Sequence, residues 1–143
     1  MTHSIEHYHE RIRINQSDLA GENLVQVELT AKIMREAATL RWEAEREKAR
    51  LDETEALVRQ RIVAAAADEK KKLTVDDVKS RVITNEDVRA ARNSYIDAKE
   101  SHDQWATLAD CWKQRGYALR ELVEIANQER TSDPATIAAA RRR

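Results

Sequence analysis

At 143 residues the chain has room for one modest core, and with two glycines, one proline and no phenylalanine it is poor in turn formers. Charged residues make up 36 % of it, yet the formal net charge is only -1. That balance excludes a whole-molecule field able to draw in nucleic acid or an anionic membrane.

A single cysteine, Cys111, excludes an internal disulfide and fits a reducing compartment. The longest apolar run, 62–67, is too short to span a bilayer. Glu6, His7, His9 and Glu10 interrupt any leader-like apolar stretch near the start. A soluble, all-α protein is expected, because helix formers dominate and turn formers are scarce.

Residues 1–21 read as an N-terminal arm. Ile5, Tyr8 and Ile12 share one face of a short helix, and Asn15-Gln16-Ser17-Asp18 supplies turn chemistry. His3 and His7 stand four apart, but His9 points away from them and no cysteine is near. The set falls short of the closed four-ligand cage of structural zinc, so no metal is expected.

A long helix is expected from about 22 to 72. Its seam runs through Ile33, Ala37, Leu40, Ala44, Leu51, Val58, Ile62 and Ala65, interrupted by Glu47 and Thr54. Arg41, Glu45, Arg46, Lys48, Arg50, Asp52 and Glu53 form a solvated mixed-charge surface of i, i+4 pairs. Toward the end come Arg59, Arg61 and then Lys70, Lys71 and Lys72. Positions 73–84 form a connector. Thr74 with Asp77, and Thr84 with Asp87, read as capping boxes with aspartate in place of glutamate, bracketing a short helix over 75–82.

The second box opens the longest pattern in the chain. Stepping three and four residues alternately, it passes Val88, Ala91, Tyr95, Ala98, His102, Trp105, Ala109, Trp112, Gly116, Leu119, Val123 and Ala126. All are apolar, aromatic or glycine except His102, which places them on one face of a continuous helix. A helix over 86–130 would span about 65 Å, against a radius of gyration of about 15 Å for a compact globule of this length. The expected fold is therefore an antiparallel long-helix hairpin over 22–130 with a short N-terminal helix. Being thin, it should assemble into an oligomeric helical bundle or ring.

Within the seam, Tyr95, Trp105, Trp112 and Leu119 read as packing residues and His102 as a hydrogen-bonded core histidine. Gly116 marks either a close approach by a neighbour or a kink. Thr131-Ser132-Asp133-Pro134 ends the pattern and offers Asp133 as a new N-cap with Pro134 after it. Residues 131–143, ending Arg141-Arg142-Arg143, read as a flexible basic tail.

Catalytic patterns are missing. Two glycines cannot build a phosphate-cradling loop. Cys111 and His102, nine positions apart, lie about 180° apart around a helix at about 100° per residue, which rules out a dyad. No Glu-x-x-His pair sits on the long helices to hold a bundle metal. Neither an enzyme nor a cofactor is expected.

Three segments then stand out together. They are Ile14-Asn15-Gln16-Ser17-Asp18-Leu19 with Glu22, Leu29, Lys32 and Ile33; Asp76-Asp77-Val78 with Thr84-Asn85-Glu86-Asp87-Val88; and Trp112-Lys113-Gln114-Arg115-Gly116-Tyr117-Ala118-Leu119. In order and spacing, over roughly residues 14–128, the chain resembles the recombination mediator proteins of T-even-like phages, the UvsY type.

The resemblance implies a small helical protein that forms closed rings and binds single-stranded DNA without sequence preference. It implies help in loading a RecA-like recombinase onto strands covered by single-strand-binding protein. Its place would be cytoplasmic, in the host cytoplasm if the chain is phage-encoded. The family's basic pair falls at Arg59-x-Arg61, where Val63 and Ala64 replace the aromatics that follow it in the family; Lys70, Lys71 and Lys72 would be secondary contacts.

A ring repeating these cations would give a nearly neutral protomer a continuous basic path, with binding that weakens steeply in salt. The expected partners are single-stranded DNA, the recombinase, the single-strand-binding protein and further copies of the chain, with no membrane. The alternative is an oligomeric coiled-coil scaffold or regulatory inhibitor that binds no DNA.

Overall fold

The computed structural model describes residues 4–132. Four helices follow one another: α1 (Ile5–Glu10), α2 (Leu19–Asp68), α3 (Val75–Thr84) and α4 (Glu86–Ser132), with no strand among the described residues. The class is all-α, and α2 and α4 form the expected antiparallel hairpin. His3, the Asp133-Pro134 start and the arginine-rich end lie outside the described residues.

Helix α2 begins earlier and ends earlier than its apolar pattern suggests, and local hydrogen bonds explain both ends. The Asp18 carboxylate accepts from the Gly21 N–H at 3.0 Å and the Asp18 carbonyl accepts from Glu22 N–H at 3.0 Å, so Asp18 caps a helix that starts at Leu19. Asn15 shapes the preceding turn by accepting from the Ser17 N–H at 3.1 Å. At the far end, Lys71 N–H donates to the Ala66 carbonyl at 2.9 Å and Lys70 N–H to the Ala67 carbonyl at 3.1 Å. These two bonds make a Schellman stop with Lys70 in the left-handed region at φ 55.

A lysine there pays for a conformation that glycine adopts freely. Lys70→Gly should raise the unfolding free energy by about 1 kcal/mol in urea titration.

The chain divides into two compact units, one from Ala37–Gln104 and the other from the chain up to Glu36 together with the chain from Trp105 onward. In the first unit, Leu51 and Val58 of α2, Val82 of α3, and Val88 and Ala91 of α4 form the buried core, with Ile62, Val78 and Tyr95 packed against it. The ion pair Arg92–Glu55 (3.0 Å) and Lys48 Nζ 5.8 Å from the Tyr95 ring centroid show α2 and α4 running antiparallel here.

Helix α3 is held by the Thr74–Asp77 box. Thr74 Oγ1 accepts from Asp77 N–H at 3.1 Å, and the Asp77 carboxylate accepts from the Thr74 N–H at 3.1 Å and its hydroxyl at 2.7 Å. The Thr74 hydroxyl, then its N–H, hold the Asp77 carboxyl below its ordinary range.

The second box forms differently from expectation. Thr84 is the last residue of α3, and its hydroxyl donates back to the Ser80 carbonyl at 3.0 Å. The cap of α4 is Asn85, whose Oδ1 accepts from Asp87 N–H at 3.0 Å and Val88 N–H at 3.3 Å. Because α3 runs to Thr84, only Asn85 is left with the extended backbone that a cap requires.

In the other unit, Tyr8 of α1, Leu29 and Ile33 of α2, and Leu108, Ala109 and Trp112 of α4 form the core, with Ile5, Val25 and Trp105 against it. Tyr8 meets Trp105 edge-on at 5.6 Å. The short helices α1 and α3 thus supply some of the apolar cover that the two long seams lack by themselves.

Candidate nucleic-acid interface

The cations singled out in the sequence all belong to the unit spanning Ala37–Gln104, and all five are exposed. Arg59 and Arg61 lie on the last turns of α2 but do not share a face, because two residues on a helix are separated by about 200°. Arg61 borders a groove lined by Arg50, Thr54 and Leu57 of α2 and by Asp87, Ala90 and Ser94 of α4. Arg59 is absent from that lining.

The α2 stripe in the groove is 50, 54, 57 and 61, a helical repeat that joins Arg50, not Arg59, to Arg61. Arg50 stands 4.0 Å from Glu47, and Asp87 puts a carboxylate into the same groove.

Lys70, Lys71 and Lys72 follow the last turn of α2, where cations also complement the exposed carbonyl end of the helix. Lys71 pairs with Glu69 at 2.7 Å. Arg59, Arg61, Lys70 and Lys72 have no ion-pair partner among the described residues. About half of the other basic side chains along the hairpin do, as in Arg41–Glu45 (2.9 Å), Lys48–Asp52 (2.6 Å) and Lys99–Asp103 (3.3 Å).

The α4 seam is mostly the buried face. Val88, Ala91, Ala109, Trp112 and Leu119 are buried, and Tyr95, Trp105 and Gly116 are half-buried. His102 is half-buried also, at 27 % side-chain exposure, with its Nδ1 3.1 Å from Asp103 Oδ1. It is hydrogen-bonded as expected, but to its chain neighbour at the margin of the helix contact and not within a core. Lys99 first, and then His102, hold the Asp103 carboxyl below its usual range.

Around Gly116 the structure assembles a buried polar node that sequence reasoning missed. The Arg115 side chain is 2 % exposed. Its Nε donates to the Ile12 carbonyl at 3.0 Å, its Nη1 to Gln26 Oε1 at 2.7 Å, and its Nη2 pairs with Glu22 Oε2. The other oxygen of Glu22 accepts from Asn15 N–H at 3.1 Å. Gln26 Nε2 donates to the Trp112 carbonyl at 2.7 Å and to Thr30 Oγ1 at 2.9 Å.

A Cβ at position 116 would stand 3.0 Å from Gln26 Nε2, so the missing side chain makes room for this glutamine. Gly116 therefore serves close approach, by a side chain of α2. Two of the three segments that carry the family resemblance meet at this node, Asn15 and Glu22 from one and Arg115-Gly116 from the other.

Exposed apolar residues complete the surface. Trp42 is 68 % exposed on α2, and Leu57, Val63 and Val75 are exposed in the same unit. In the other unit, Leu24, Val27, Met34 and Tyr117 stand out. No helix among the described residues is long and apolar enough to cross a membrane, and no group of three or more metal-ligating side chains comes together among them. Comparison with family models, with curated proteins and with solved structures finds no match.

Proposed function

We propose that the protein is a single-stranded DNA-binding recombination mediator, acting as a homo-oligomer that helps load a RecA-like recombinase onto DNA covered by single-strand-binding protein. One observation carries the DNA-binding part. Of the five cations between positions 59 and 72, only Lys71 is engaged in an ion pair among the described residues, and all five are exposed. Exposed cations without partners are ready to replace counterions on phosphate, whereas paired ones must first break a contact. Repetition around an oligomer would turn these cations into a path that a protomer of net charge -1 does not possess alone. The mediator role and its protein partners rest on the family resemblance.

Arg59→Ala with Arg61→Ala should keep its oligomeric mass while binding oligo-dT more weakly. Because the two point to opposite sides of α2, a strand following one face loses one phosphate contact per protomer, which should flatten the plot of log affinity against log salt by about 0.7 for each protomer engaged. Fluorescence anisotropy at several salt concentrations measures both quantities. Unchanged affinity and slope would remove the pair from the interface. The mediator role is tested by recombinase filament assembly on strands already covered by single-strand-binding protein; no stimulation there overturns it.

A second reading, an oligomeric scaffold or regulatory protein without DNA binding, draws on the exposed Trp42, Leu57 and Val63, which suit contacts with protein. Absence of strand binding at low salt would favour it.

A further inference from the structure

In the unit that contains α1, α2 and α4 enclose a second groove, and its chemistry differs from that of the helix surfaces around it. Its charged lining residues are Lys113 and Arg120, and no carboxylate lines it. Between them on α4 stands Tyr117, 59 % exposed. Positions 113, 117 and 120 are spaced four and three apart, so the three side chains share one face of α4. The opposite wall carries Val27 and Met34, 73 % and 48 % exposed. Gly116 lines it too, with the Gln26 side chain packed over it.

We infer that this groove is a further contact for single-stranded DNA, in which a base stacks on the Tyr117 ring and the flanking Lys113 and Arg120 hold phosphates. The inference rests on the DNA-binding reading above and adds to it a site in the other structural unit.

Sequence-tolerant strand binding needs aromatic platforms next to cations, because every base has a π-face and every nucleotide a phosphate. Tyr117 supplies a solvated ring with no aromatic partner among the described residues. Arg120 has no ion pair among them, and the pair of Lys113 with Asp110 (3.1 Å) is a solvent-exposed contact that phosphate can replace at small cost. Charge argues against a second copy presenting the same groove, since cations would then face cations. An apolar partner helix would use Val27 and Met34 but leave the two cations without a counterpart.

The test uses the full chain, a labelled oligo-dT strand, and three variants: Tyr117→Ala, Tyr117→Phe, and Lys113→Ala with Arg120→Ala. Tyr117→Ala should weaken binding about tenfold to a hundredfold, leaving the salt slope as it was, because stacking releases no counterions. Tyr117→Phe should bind nearly as the parent does. The double variant should weaken binding and flatten the salt slope by about 1.4 for each protomer engaged. Ultraviolet cross-linking to oligo-dT should label the peptide holding Tyr117, and circular dichroism should show each variant still helical.

If Tyr117→Ala binds normally and its peptide is not labelled, while the Arg59 and Arg61 variant has lost affinity, the inference fails and the DNA-binding reading stands. A changed oligomeric mass with unchanged strand affinity would make the groove a subunit contact and overturn the inference. No binding by the parent protein at low salt would overturn both.

Discussion

Arg115→Met should destabilise the protein by about 3–5 kcal/mol in urea unfolding, the range for removing one partner of a buried ion pair. The effect comes chiefly from what is left behind. The Glu22 side chain, only 16 % exposed, would keep a charge with the Asn15 N–H as its remaining hydrogen-bond donor. The Ile12 carbonyl and Gln26 Oε1 would each lose a donor as well. Combining Arg115→Met with Glu22→Gln should recover part of the loss, because the stranded charge goes too. A double variant no more stable than Arg115→Met would show that the ion pair is not where the energy lies.

Trp112→Ala should cost a comparable 3–5 kcal/mol, about the usual range for emptying a buried tryptophan site. Its side chain is fully buried against Tyr8, Leu29, Ile33 and Leu108, with the Arg115 guanidinium 4.8 Å from its ring centroid. The indole Nε1 is buried without a hydrogen-bond partner. Trp112→Phe should therefore cost well under half as much: it keeps an aromatic face for Arg115 and removes a donor that folding leaves unsatisfied. Thermal and urea unfolding of the two variants side by side measure the difference. A Phe variant as unstable as the Ala variant would mean that shape, not the stranded donor, governs this site.

The helices were legible because their apolar residues recur at helical spacing and their caps use short polar side chains. Ile33, Leu51 and Val58 on α2, and Val88, Trp112 and Leu119 on α4, are buried as that spacing requires. Leu108 was missed because a seam of two positions per heptad is narrower than the face a globular helix buries. The start of α4 at Glu86 agrees with its pattern, but the cap is Asn85 and not Thr84, because both are capping types and only the length of α3 decides between them.

The opposed directions of Arg59 and Arg61 were readable from their spacing alone. Arg115 was a different matter. An arginine between Gln114 and Gly116 looks like surface, and its burial depends on Glu22 and Gln26, residues about ninety positions earlier that no local pattern links to it. Tyr117 likewise became a candidate only once a groove free of carboxylates surrounded it.

The division of the chain also bears on synthesis. The unit over Ala37–Gln104 is one uninterrupted stretch, and all its contacts can close once that stretch has left the ribosome. The other unit joins the beginning of the chain to its last third, so Tyr8, Leu29 and Ile33 emerge early and must wait for Leu108 and Trp112. At about 5–20 residues per second, that wait lasts several seconds, during which half of an apolar core has no partner in its own chain. Vectorial synthesis thus favours completing the inner unit first, with the ends closing last.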